Sequence, residues 1–138
     1  MIEIDIPGEP VAKGRPRATT INGAARLYTP DRTREYEQRV AMAARGVMCK
    51  SPPIECPVSV AVFVRLPAPA SWSVRKRAAA ISGEVLPASR PDLDNYVKAV
   101  LDGLNGEVWR DDAQVVRVVA EKTYAETPGV QVQVSRMR

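Results

Sequence analysis

Carboxylates crowd one stretch of this chain. From Arg90 to Gln114 the sequence reads RPDLDNYVKAVLDGLNGEVWRDDAQ and holds six acidic residues: Asp92, Asp94, Asp102, Glu107, Asp111 and Asp112. Two aspartates one residue apart, a lysine (Lys98) one helical turn later, and an aspartate pair beyond a helix-length segment together suit a hard divalent cation. Mg²⁺ takes oxygen ligands in near-octahedral geometry and keeps several waters, so two or three Asp side chains from different elements are enough to hold it. A lysine beside them would orient a water or offset charge on a phosphate. Each residue also has a plainer reading. Asp94, Lys98 and Asp102 stand at i, i+4 and i+8, the spacing of ordinary helical ion pairs. Asp92 suits a helix cap, and Asp111-Asp112 suits a turn. The density of the cluster favours the metal site.

The rest of the composition narrows the chemistry. There is no histidine, which removes imidazole bases, imidazole ligands and His-dependent triads. Catalysis would have to run on carboxylates, lysine, hydroxyls and metal-held water. Net charge is +4 and the pI about 9.3, although the Asp92–Asp112 region is acidic. The excess cations are Lys13, Arg15, Arg17, Arg26, Arg32, Arg34, Arg75, Lys76 and Arg77. A basic protein with one acidic spot suits a polyanion held through its phosphates, with a metal at the reacting one. Cys49 and Cys56 match neither a disulfide framework nor a zinc site. No apolar run reaches membrane-spanning length, and the N-terminus alternates Ile with acids where a signal peptide would be basic. The expectation is one domain over 1–138, cytoplasmic, with no membrane partner.

The elements that must position the acids read as follows. Leu93, Val97, Val100, Leu101 and Leu104 mark one apolar helical face, with Asp92 at its start and Asn105-Gly106 at its end. A short connection then brings Asp111-Asp112 back before a strand at 115–119, which should set the second acidic pair beside the first. Ile2, Ile4 and Ile6 alternate as a half-buried strand. The stretch from Val11 to Ala25, interrupted by Pro and Gly, reads as a long loop. In it, Lys13, Arg15, Arg17 and the backbone N–H groups near Gly14 could grip phosphates. Thr29 and Pro30 open a helix as cap and first residue, with Tyr36, Val40, Ala43, Ala44 and Val47 as its apolar face. Val58–Leu66 is a strand with few charges and so a central one. A short helix starts at Ser71 or Ser73 and runs to about Ile81, anchored by Trp72. Residues 115–124 and 130–134 read as a β-hairpin. The order β–loop–α–β–α–α–β–β predicts an α/β (mixed α+β) domain: one mixed sheet of about four strands with helices packed against it.

Several of these pieces occur together in a known pattern. Pro10…Lys13-Gly-Arg-Pro-Arg17, Tyr28-Thr29-Pro30, Pro91-Asp-Leu-Asp-Asn95…Lys98, Leu101-Asp-Gly-Leu-Asn105-Gly and Trp109…Asp111-Asp-Ala-Gln-Val115 resemble, in order, the RusA-type endodeoxyribonucleases, which resolve Holliday junctions. The segment Arg75–Ser89 lies outside the resemblance. The resemblance implies a Mg²⁺-dependent homodimer, with Mn²⁺ as a substitute metal, in a bacterial or phage setting. It implies paired, symmetric cuts in a four-way DNA junction that leave 3′-hydroxyl and 5′-phosphate ends. It matches Asp92, Asp94 and Asp112 to metal-binding carboxylates, Lys98 to a catalytic lysine, and Asp111 to a neighbouring acid. The dimer interface is expected on Val58–Leu66, the C-terminal hairpin or Trp72. The alternative from another class is a protein that binds branched or duplex DNA without cutting it, its carboxylates being structural; a nuclease for flaps or RNA is a third.

Overall fold

The structure is a computed structural model. It describes the backbone of residues 1–14, 17–28 and 30–138, and the side chains of all these except 17–19, 21 and 25–28. Among the described residues a four-stranded mixed sheet carries three α-helices, as the alternation of apolar runs predicts. The strands are β1 (Ile2–Pro7), β4 (Val58–Leu66), β5 (Val115–Tyr124) and β6 (Gly129–Arg136), and the helices are α1 (Asp31–Met48), α2 (Val74–Ile81) and α3 (Leu93–Leu104). The sheet order is β1-β6-β4-β5; β6 runs antiparallel to β1 and β4, and β5 runs parallel to β4.

Two expectations fail here. The first is the C-terminal hairpin: β5 and β6 are not partners, because β4 lies between them. Four connecting residues can span the roughly 10 Å of two inter-strand spacings, so a short loop does not force pairing. The second is the basic loop, which holds a two-stranded hairpin, β2 (Arg17–Ile21) with β3 (Ala24–Tyr28). Its turn is Asn22-Gly23 with φ of 51° and 77°. Both central residues have positive φ, as a two-residue turn compatible with strand twist requires, and Asn-Gly is the favoured pair for it.

The core lies between the sheet and α1 and α3. Ile4, Ile6, Val58, Val60, Val62, Val64, Val130, Val132 and Val134 are buried from the strands. α1 buries Thr33, Tyr36, Val40, Ala44 and Met48, a regular helical stripe. Val47, expected on that face, is 44% exposed, and Met48 takes its place. α1 begins at Asp31 with Pro30 in the cap position, one residue later than expected; Thr29 lies outside the described residues. Helices α1 and α3 meet so closely that a Cβ on Gly103 would stand 2.6 Å from Val40 Cβ and 2.9 Å from the Glu37 carbonyl.

Tyr36 is 1% exposed, and its hydroxyl has no hydrogen-bond partner among the described residues. Burial pushes its pKa up to about 12, only partly offset by Arg39. A raised folded-state pKa gives stability that is whole below the unfolded value of 10.0 and is lost as pH climbs towards the folded one. Urea unfolding between pH 9 and 11.5 should therefore show a loss on the order of 2 kcal/mol from this group. Tyr36→Phe should lose less stability than wild type over the same window; parallel curves would show that Tyr36 is not responsible.

Candidate active site

α3 starts at Leu93, with Asp92 in the cap position in extended backbone conformation. The Asp92 side chain makes no capping hydrogen bond, so its oxygens are not spent on the helix end. Asp94, in the first turn, is exposed beside it. Both carboxylates face solvent at the positive end of the helix dipole, where an anionic side chain is well placed. Lys98 lies one turn further on, with Nζ 3.4 Å from Asp102 Oδ1 and a side chain 62% exposed. Such an exposed i,i+4 pair is weak, so its ammonium is free to leave Asp102 for a stronger anion. The irregular segment leading into Asp92 is pinned from the sheet: Lys122 Nζ of β5 donates to the carbonyls of Ser89 and Pro91, both at 2.9 Å.

The second acidic pair returns at the other end of α3. Asp112–Gln114 form a 3₁₀ turn, and Asp111 caps it. Asp111 accepts from the Ala113 N–H while Gln114 Oε1 accepts from the Asp111 N–H, a reciprocal capping box. Gln114 Nε2 also donates to the carbonyls of Ile54 (2.8 Å) and Cys56 (3.0 Å). Asp111 is thus occupied as a cap. Asp112 Oδ1 accepts from Trp109 Nε1 at 2.8 Å. Trp109 is fully buried and bridges to Asn105, the residue that ends α3.

This geometry corrects the expectation that the chain folds the two pairs together. About 18 Å of helix separates the ends of α3. Lys122, beside Asp92, is about 23 Å along β5 from Val115, which follows the Asp112 turn. Among the described residues no three Asp, Glu, His or Cys side chains gather closely enough to hold a metal ion. The donor chemistry suits Mg²⁺ (exposed, hard carboxylate oxygens), but one chain brings together Asp92, Asp94 and Lys98 without Asp112.

The N-terminal cations also have partners that the sequence did not suggest. Lys13 Nζ bonds to Glu37 of α1 and lies 3.0 Å from Asp102 Oδ2 of α3. Its backbone N–H donates to the Asn95 carbonyl. Burial pulls the Lys13 ammonium down, but the hydrogen bonds and charges of Glu37 and Asp102 outweigh it and hold the pKa above the usual lysine value. The cation expected to grip phosphate is therefore a strut that joins the loop to both helices. The Gly14 N–H, also expected to face phosphate, donates to Thr33 Oγ1 at 3.0 Å. Arg15 lies outside the described residues, as does the Arg17 side chain. Of the interactions unforeseen from sequence, only the Asp111–Gln114 capping box carried a local signal, an acid followed by Gln at the third position. The Trp109–Asp112 and Lys122–carbonyl bonds join residues whose meeting only the fold decides.

Comparison with known proteins agrees with this arrangement of motifs. The family model of endodeoxyribonuclease RusA matches residues 7–135. The uncharacterized protein YqaN of Bacillus subtilis (strain 168) is 39% identical over 135 residues, covering 96% of this chain and 94% of that one. Among the described residues no helix is long and apolar enough to cross a membrane.

Proposed function

The chain belongs to the RusA endodeoxyribonuclease family, and from that premise we propose that it is a Mg²⁺-dependent, homodimeric resolvase of four-way DNA junctions. The observation that carries the reading is the start of α3. Two exposed aspartates with no capping duty stand there one turn before an exposed lysine, in a basic chain without histidine. Asp92, Asp94 and Asp112 would hold Mg²⁺, or Mn²⁺ in its place, which supplies charge neutralisation at the scissile phosphate and an activated water. Lys98 would turn from Asp102 to the phosphate and stabilise the charge that develops there. Lys13 acts at one remove: by pairing with Asp102 it holds the helix face that carries Lys98.

The separation of Asp112 from Asp92 and Asp94 supports a dimer. Strand β5 is an edge of the sheet, and Val116, Val118 and Val119 on it are 60%, 44% and 47% exposed. An open apolar edge is a template for pairing with another strand. If two copies pair β5 antiparallel across a two-fold axis, the Lys122 end of one meets the Val115 end of the other. Asp92 and Asp94 of one protomer would then face Asp112 of its partner, and the axis would generate two such sites for two symmetric cuts. β4, the interface expected from the sequence, has both edges covered by β5 and β6.

The test is a cleavage assay on a synthetic four-way junction, with and without Mg²⁺, beside linear duplex and single strand. The expected result is paired nicks at symmetric positions, only with metal and only in the junction. Tight junction binding with no cleavage under any divalent metal would replace the nuclease with a binding protein. Equal cleavage of all three substrates would remove the junction.

A further inference from the structure

We propose that α2 is a DNA-gripping wing, in which Arg75, Lys76 and Arg77 hold the phosphate backbone of the arm that enters beside Asp92 and Asp94. This deepens the junction-nuclease reading and rests on it.

Packing does not explain this helix. Of its eight residues only Ala80 is buried; Val74 is 85% and Ile81 42% exposed. An eight-residue helix does not persist in water on its own propensity. This one is held by a few contacts at its start. Ser73 Oγ accepts from the Lys76 N–H at 3.2 Å, and Trp72 packs edge-on against Tyr124 with ring centroids 5.4 Å apart. Beside Val74 and Ile81, what the helix presents to solvent is three consecutive cations.

The charge on the helix is also uncommitted. Several cations elsewhere are committed to carboxylates: Lys13 to Glu37 and Asp102, Arg45 to Glu107, and Arg110 to Glu55. Arg75, Lys76 and Arg77 are all exposed, and none makes an ion pair among the described residues. Glu126 lines the open groove beneath the helix together with Arg77 but forms no such pair with it. Lys76 Nζ stands 4.0 Å from the Trp72 ring centroid. That contact orients the ammonium without neutralising it. Trp72 is in this sense a positioning residue.

Trp72 rests on Tyr124, two residues along β5 from Lys122, whose Nζ binds the Ser89 and Pro91 carbonyls just before Asp92. The wing and the first acidic pair therefore share one end of the sheet. Free cations fanned around a helix that flanks a carboxylate site match a ligand that carries repeated phosphates, and duplex DNA presents one about every 1.7 Å of axis.

The experiment measures binding of wild type to a four-way junction and to linear duplex without divalent metal, across a salt series. It compares Arg75→Ala/Arg77→Ala, Lys76→Gln and Arg75→Glu/Lys76→Glu/Arg77→Glu, with thermal melts of each. All positions are exposed, and Ala is a better helix former than Arg, so the melts should match wild type. The double Ala variant should lower the log–log salt slope by about two, and Lys76→Gln by about one. The triple Glu variant should weaken binding to both DNAs by at least tenfold. Unchanged slopes and affinities in variants whose wild type binds the junction would overturn the wing alone. A wild type that binds no DNA would overturn the nuclease reading, and the wing with it.

Discussion

Asp94→Asn should lower junction cleavage by about 10³-fold or more while leaving junction binding intact. The substitution keeps shape and removes a charged oxygen donor. Loss of metal-derived charge stabilisation worth about 4 kcal/mol corresponds to that factor. Binding should persist, because neutralising a carboxylate that faces phosphate removes repulsion. Asp112→Asn should be equally inactive, since its second oxygen is the one left open by Trp109. The decisive result comes from mixing the two inactive variants. If each site takes Asp92 and Asp94 from one protomer and Asp112 from the other, a mixed dimer holds one site with both changes and one site with none. Mixing should then restore single-strand nicking at the rate of one site. If all three acids belonged to one chain, every site in the mixture would carry a change and nothing would be restored. Full cleavage by Asp94→Asn alone in Mg²⁺ would remove it from the chemistry.

Trp109→Ala should cost about 3–5 kcal/mol of stability, the usual result of emptying a large, fully buried aromatic site. Trp109 is 0% exposed, it joins the end of α3 to the Ile54 segment, and its indole N–H holds Asp112. Urea denaturation reads the first effect. Trp109→Phe separates it from the second, because Phe fills most of the volume but donates no hydrogen bond. That variant should stay folded and cleave about 10–100-fold more slowly, the usual cost of losing a partner that orients a ligand. An Ala variant as stable as wild type, or a Phe variant with wild-type cleavage, would show that Trp109 does not carry both roles.

Local pattern determined much of this protein. The helix from Leu93 to Leu104, with Asp92 before it and Asn105-Gly106 after it, was legible because its apolar spacing and end residues act within a few residues of themselves. The same holds for β1, for β4 and for the short helix after Trp72. Asn22-Gly23 was equally local; the surrounding Pro and Gly drew the reading towards a loop, although the pair itself specifies a tight turn. The family pattern singled out Asp92, Asp94, Lys98 and Asp112, but not how they meet. Where each of them stands within one chain was decided by the tertiary structure. β4 enters between β5 and β6 because the sheet gains a central strand buried on its helix-facing side, a choice that no four-residue loop can encode. The rigid length of α3 and the burial of Trp109 carry Asp112 away from Asp92. Lys13 turns inward because Glu37 and Asp102, on two different helices, converge where its ammonium can be paired. Alternation and spacing act over one or two turns of chain, whereas these placements arise from burying surfaces that lie tens of residues apart.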